Sequence, residues 1–383
     1  MKWIRFWFYV VIILLVVGCE GEDSNNDASS RVKLPERLEI AFDMEEVTEV
    51  KEAKIYTANS LELDPDVVAN TILVESLVNE EINAFGFSYQ TKGDAQEEYL
   101  TVYDGGKTFG VESGMEGGFG YWNHSIDHPV NYQQVAHTSP GPPDQSTQFS
   151  LYQQNNNFQT FTDLDFISYS EAEQEIIDQL SSLGIDGVET EIVYGLDYET
   201  ITTHYEHYLN LMAGSGEDAV QWTDDDEAYL FQFRQVVDGI PLINDIWQTR
   251  ILESDEITYT RLTAIYKESG IHTLEVVGFY ETTDASESQT LIGQEEALEK
   301  LIDYYNAVLL KSATRIEKME LTYISFFEDG NYRLVPSWVF LISREEQTEP
   351  TDIDPAQEYV DYHYHIINAV TGERIINVSG DSN

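Results

Sequence analysis

Four groups of side chains have the type and spacing to do chemistry. Asp361, His363 and His365 alternate in the segment Tyr359-Val360-Asp361-Tyr362-His363-Tyr364-His365. On a strand they share one face, with Tyr362 and Tyr364 on the other. Two imidazoles and a carboxylate are a plausible ligand set for Zn²⁺ or Cu²⁺. Same-face neighbours sit roughly 6.5–7 Å apart, so chelation requires long reach or a ligand from an adjacent strand. The competing reading is the polar, solvent-facing side of an edge-like strand. His204 and His207 lie three apart in Thr-Thr-His-Tyr-Glu-His-Tyr, on one side of a helix. Without the H-E-x-x-H pattern of zinc hydrolases they read as surface histidines. His124 and His128 flank Asp127 after Tyr121-Trp122, either as a binding loop with aromatic faces or as a packed connection. Cys19 is the sole thiol. It closes a short apolar run, Phe6 to Val17, that follows Lys2 and Arg5.

Other reaction classes lack their residues. There is no G-x-S-x-G, no P-loop and no G-x-G-x-x-G between a strand and a helix. We therefore expect no catalytic residues and no cofactor. Carboxylate pairs diagnose nothing in a chain this rich in them. Asp224-Asp225-Asp226-Glu227 lacks the glycine and spaced ligands of a calcium loop and reads as a solvated turn before a strand.

The elements that would position these groups follow from periodicity. Leu38 to Phe42 alternates as a strand, and Asp64-Pro65 opens a helix with an N-cap and a first-turn proline. Tyr99 to Tyr103 reads as a strand turning at Asp104-Gly105-Gly106, and 138–160 as a long loop. Ser170 starts a helix with Ile176, Ile177 and Leu180 as its stripe and Gly184 at its end. Strands are expected at Glu189 to Tyr194, Tyr229 to Val237, Ile257 to Tyr266 and His272 to Tyr280, with a helix at Tyr198 to Met212. A helix from Gln294 to Leu310 then precedes strands at Glu317 to Phe327, Leu334 to Ser343, Tyr359 to Ala369 and Arg374 to Val378. This alternation implies an α+β fold with helices packed on curled antiparallel sheets. The expected organisation is a signal at 1–18, a tether at 19–30, an N-terminal mixed α/β region at 31–165, and two units at 166–290 and 291–383.

Composition narrows the setting. Acidic residues number 70 against 20 basic, a net charge of −50 that repels nucleic acid and anionic lipid. The acidity serves hydration in brine or at high external pH, or else gathers Ca²⁺ or meets a basic partner. A hydrophobic share of 42% with 24 Tyr and 17 Phe is ample for packed cores, and a lone cysteine leaves no intrachain disulfide.

The N-terminus, with a positive start, a short apolar run and Val16-Val17-Gly18-Cys19, resembles a bacterial lipoprotein signal ending in a lipobox. The alternative is an uncleaved signal anchor. The resemblance implies that Cys19 is alkylated by a diacylglyceryl group and holds the protein in the cell membrane, on its extracytoplasmic face. Two acyl chains give stable anchoring at ~0.8 kcal/mol per buried methylene.

Tyr229-Leu230-Phe231-Gln232-Phe233 leading to Val237-Asp238-Gly239-Ile240-Pro241, then Val335-Pro336-Ser337-Trp338-Val339-Phe340 and Ile367-Asn368-Ala369-Val370-Thr371-Gly372-Glu373, are similar to the hairpins of PepSY-like domains. The order as a whole is similar to uncharacterised Firmicutes lipoproteins with a PepSY-like C-terminal half. The resemblance implies a non-catalytic module that contacts an envelope protein, as in peptidase inhibition or regulation of an envelope complex. A surface that binds a cation or small ligand is the alternative. The motif residues themselves need no function: Gly239 and Gly372 suit turns, and Trp338 suits a core.

Overall fold

Residues 228–233, Ala-Tyr-Leu-Phe-Gln-Phe, are apolar at both parities except at Gln232. A strand of that kind must be covered on both faces. The computed structural model describes residues 34–64, 67, 71, 85–91, 94–102, 107–112, 118–123, 158–211, 222–244, 246, 257–328, 330–347 and 358–375.

The chain begins with β1 (Leu38–Ile40), β2 (Glu52–Ala53) and β3 (Tyr56–Ser60). A meander follows: β4 (Phe85–Thr91), β5 (Asp94–Val102), β6 (Lys107–Glu112) and β7 (Gly118–Asn123). Next come β8 (Gln159–Thr160), α1 (Tyr169–Ser182), β9 (Val188–Leu196), α2 (Tyr198–Leu211), β10 (Ala228–Val237) and β11 (Ile240–Pro241). Then follow β12 (Ile257–Thr258), β13 (Arg261–Lys267), β14 (Gly270–Val277), β15 (Tyr280–Ala285), β16 (Gln289–Thr290) and α3 (Gln294–Ala307). The last strands are β17 (Thr314–Glu328), β18 (Asn331–Gln347), β19 (Glu358–Asn368) and β20 (Arg374–Ile375).

Ten strands form one sheet, with β11 paired to β10 and the rest in the order β4-β5-β6-β7-β14-β13-β10-β9-β8. Eight form another, in which β1-β17-β18-β19-β20 is joined by β3, β12 and β15, and β2 and β16 make a two-stranded ribbon. β10 shows why helices are needed on both sides of the larger sheet. Tyr229, Phe231 and Phe233 pack with Ala172, Ile176 and Leu180 of α1, whereas Ala228 and Leu230 pack with Ile201 and Tyr205 of α2. α1 starts at a capping box in which Ser168 and Glu171 satisfy each other's backbone N–H, and it ends where Gly184 takes φ +78°. α3 buries Ala297, Leu301, Ile302 and Tyr305, and just before it Trp338 Nε1 donates to the Ile292 carbonyl at 3.0 Å. No described helix is long and apolar enough to cross a membrane.

The expected α+β class is corrected here. The protein is mostly β, leaning to all-β, with its helices as covers rather than as half of each unit. Two of the expected strand runs are each divided between the sheets. The run Ile257 to Tyr266 divides after Thr258: β12 pairs with β17 in the eight-stranded sheet, while β13 pairs with β10 in the other. The run from His272 to Tyr280 divides at Gly278, leaving β14 beside β7 and β15 beside β3. Gly278 has φ +70°, and a Cβ there would come within 2.5 Å of the Tyr259 carbonyl oxygen. The chain changes sheets where only glycine fits. Strands from the first 165 residues enter both sheets, and residues 34–383 form one compact unit.

Gln235 joins the two sheets by mimicking a peptide. Its buried amide donates to the Tyr280 carbonyl at 2.7 Å and accepts from the Tyr280 N–H at 3.0 Å. The signal and Cys19, the tether, all but Val67 and Thr71 of the helix after Pro65, the turn 104–106, His124, Asp127 and His128 lie outside the described residues. So do the loop 138–157 and the His207 side chain.

Candidate functional site

The seam between the two sheets holds a cleft, and its charges come from three strands. Arg234 on β10 stands opposite Glu189 of β9, with Glu191 two residues further along. β17, from the other sheet, brings Lys318 and Glu320, which share a face at i and i+2. Arg234 forks onto Glu320 with two bonds of 2.8 Å, and its Nε reaches Glu189 at 2.6 Å. Glu191 lies 4.0 Å from Arg234 and 3.8 Å from Lys318, and Asn244 donates to it. Lys318 also meets Glu320 at 3.0 Å.

The two-pronged geometry suits guanidinium and carboxylate, and the pair is withdrawn from water: the Arg234 side chain is 12% exposed. Burial alone would raise the Glu320 carboxyl. The Arg234 hydrogen bonds and the Lys318 and Arg234 charges outweigh it and hold Glu320 at about 2. Burial likewise works against the Arg234 charge, but Glu320, Glu191 and Glu189 overcome it and raise its pKa.

Above this floor the cleft measures about 370 Å³, with Phe42, Val47, Pro241 and Leu321 among its apolar walls and Asp43 and Glu46 at its lip. One wall is built from the turn Asp238-Gly239, where β10 returns as β11 and both residues have positive φ, +49° and +78°. A side-chain latch fixes that turn. The Tyr56 hydroxyl and Lys54 Nζ both donate to Asp238, the latter at 3.3 Å, and the Tyr323 hydroxyl donates to the Lys54 carbonyl at 3.0 Å. The Tyr56 hydrogen bond comes first among the forces that lower the Asp238 carboxyl.

Chemically, the cleft offers shape and an acidic lip. Its two cations are already engaged by carboxylates of the same cluster. It can receive an apolar or basic side chain from elsewhere.

The histidine strand is assembled only in part. His363 Nδ1 lies 3.8 Å from Asp361 Oδ2, both half-buried, in register with Ile342 and Arg344 of β18. His365 is buried. It packs under α3 with ring centroids 5.0 Å from Tyr304 and 6.2 Å from Tyr305. Burial first, then the Arg374 and His363 charges, depress it to about 3, so the imidazole is neutral. Tyr364, on the opposite face, joins Ile324, Val339 and Ile366 in a core. The face expected to be solvated is therefore covered at His365. Among the described residues no three His, Cys, Asp or Glu side chains converge to hold a metal ion.

His204, expected at the surface, is buried against Phe158 at 4.6 Å. The acidic run 224–226 is a 3-10 turn before β10, as expected, but Asp226 also pairs with the buried Lys267 at 3.2 Å. The Arg234 cluster escaped sequence reading. Its one local signal is a cation directly after the apolar run 228–233, inside the strand, and its main partner lies 86 residues away.

No family model matches the chain, and no curated protein matches it. Among solved structures it is similar to an uncharacterized protein from Eubacterium rectale, whose crystal structure is at 1.45 Å resolution. The two are 17% identical with a TM-score of 0.55 over 88% of this chain and 89% of the other. That likeness shows a shared fold alone.

Proposed function

We propose that this is a lipid-anchored protein of the extracytoplasmic membrane face, held through Cys19, that acts by contact with another envelope protein and not by catalysis. The observation that carries the contact reading is the state of the cleft's charges. Arg234, Lys318, Glu189 and Glu320 neutralise one another, leaving a shaped, acid-lipped surface rather than a poised acid, base or nucleophile. A partner matching it presents a basic or apolar segment, which fits a chain of net charge −50. Restraint of a peptidase or regulation of an envelope complex are the roles such a surface serves.

The test is a photo-crosslinking residue in place of Val47, in cells that produce the protein. One recurrent envelope protein should be captured. Background labelling alone, with fatty acid duly incorporated at Cys19, overturns the contact reading. A polypeptide that takes up no fatty acid and stays in the cytosol overturns the location.

The Asp361–His363 contact favours a second reading, a surface that binds a cation. A thermal shift with Zn²⁺ or Cu²⁺ that disappears in His363→Ala would establish it. Indifference to both metals removes it.

A further inference from the structure

We propose that the loop after α3, Val308-Leu309-Leu310-Lys311, together with Leu34 and Arg37, docks the folded body on the bilayer surface. The inference rests on the lipid-anchor reading and adds a second membrane contact to it. Five large hydrophobic side chains stand out among the described residues for their exposure, and three of them are here: Leu309 at 87%, with Val308 and Leu34 at 38% each. The chain segments are adjacent. The Arg37 guanidinium donates to the Lys311 carbonyl, the Thr314 N–H donates to the Arg37 carbonyl at 2.9 Å, and residues 35–37 and 308–311 line one shallow concavity.

Chemistry and connectivity name the occupant. Leu309 and Val308 form a short apolar tip, and Arg37 and Lys311 beside it match lipid phosphates, with Glu36 the one carboxylate in the concavity. Leu34 follows Cys19 by fifteen positions, a reach of at most about 50 Å even fully extended. The surface where the chain enters the folded body is the one an anchor at Cys19 draws to the membrane first. A second copy is the weaker occupant: a few side chains fall short of the ~1,000 Å² a stable interface requires, and two bodies of net charge −50 repel.

The test uses full-length, lipidated protein in vesicles of phosphatidylcholine, whose headgroups carry phosphates without a net negative charge. The Leu309→Cys variant carries an environment-sensitive fluorophore, and Glu268→Cys, on the exposed β13–β14 turn, is the control. The probe at 309 should shift to the blue and be quenched several-fold more by spin-labelled lipid than the probe at 268. Equal, weak quenching at both positions, with the protein still floating with the vesicles, overturns the docking surface and leaves the anchor intact. Failure to float overturns the anchor and the docking surface together. A blue shift without vesicles that grows with protein concentration places a second copy on the loop and also overturns the proposal.

Discussion

Two seams of this molecule bury an ionisable side chain and solve the problem in opposite ways. At the junction of the sheets Arg234 keeps its charge, because Glu320 and Glu189 reach it within 2.8 Å. Under α3, His365 has aromatic neighbours and, among the described residues, no carboxylate paired with its ring, and it gives up its charge. Desolvation opposes the charged form in both places, and only the partners differ. The first seam is stabilised by charge and broken by removing one partner. The second is stabilised by neutrality and broken by adding a proton.

The comparison is sharpest at Arg234. Arg234→Met leaves Glu320 and Glu191 with only the half-exposed Lys318 as counter-ion, and urea unfolding should show a loss of about 3 kcal/mol. Adding Glu320→Leu to that variant should return part of the loss, since the second change removes a stranded charge. If the single substitution costs less than about 1 kcal/mol, the seam is not held by charge.

Glu320→Gln should cost about 1.5–3 kcal/mol at pH 7, the range for hydrogen bonds to charged groups. The sign follows from its lowered pKa. Its contribution is complete above the unfolded carboxyl value near 4.5 and fades as pH falls toward about 2. Wild type and variant should therefore converge in acid. A gap that persists at pH 2 assigns the effect to packing.

His365 should act in a higher window. A histidine held neutral favours the folded state fully above its unfolded value of 6.5, and acid removes that advantage progressively down to about 3. Between pH 7 and pH 5 wild type should lose about 2 kcal/mol more than His365→Phe. Parallel pH curves for the two proteins would show that His365 charges freely. The smallest effect belongs to Lys318, whose side chain is 45% exposed. Lys318→Met should cost no more than about 1 kcal/mol and less in high salt, a difference read from melts with and without added NaCl.

The two seams also differ in how far the sequence discloses them. Helices are local, and all three described ones lie where the sequence places a helix, though α1 starts one to two residues before Ser170 because Ser168 is the cap, and α3 stops at Ala307, short of the expected Leu310, leaving Leu309 exposed. The alternation of Asp361, His363 and His365 on one face of β19 is equally local. Which face α3 would cover is not local, so a side expected to be wet is dry at His365. Gly239 is legible as a turn residue, and Asp238 beside it acquires its latch from Lys54 and Tyr56, more than 180 positions away.

Taken alone, the sequence determined where the three described helices lie, the acidic character and the single thiol placed after an apolar run, because each depends on residues within a few positions of one another. The tertiary structure decided the fold class, the strand exchange at Thr258 and Gly278, and the Arg234 cleft. Each of those rests on which strand lies beside which across tens to hundreds of residues. Alternation marks a strand as buried but carries no information about its neighbour.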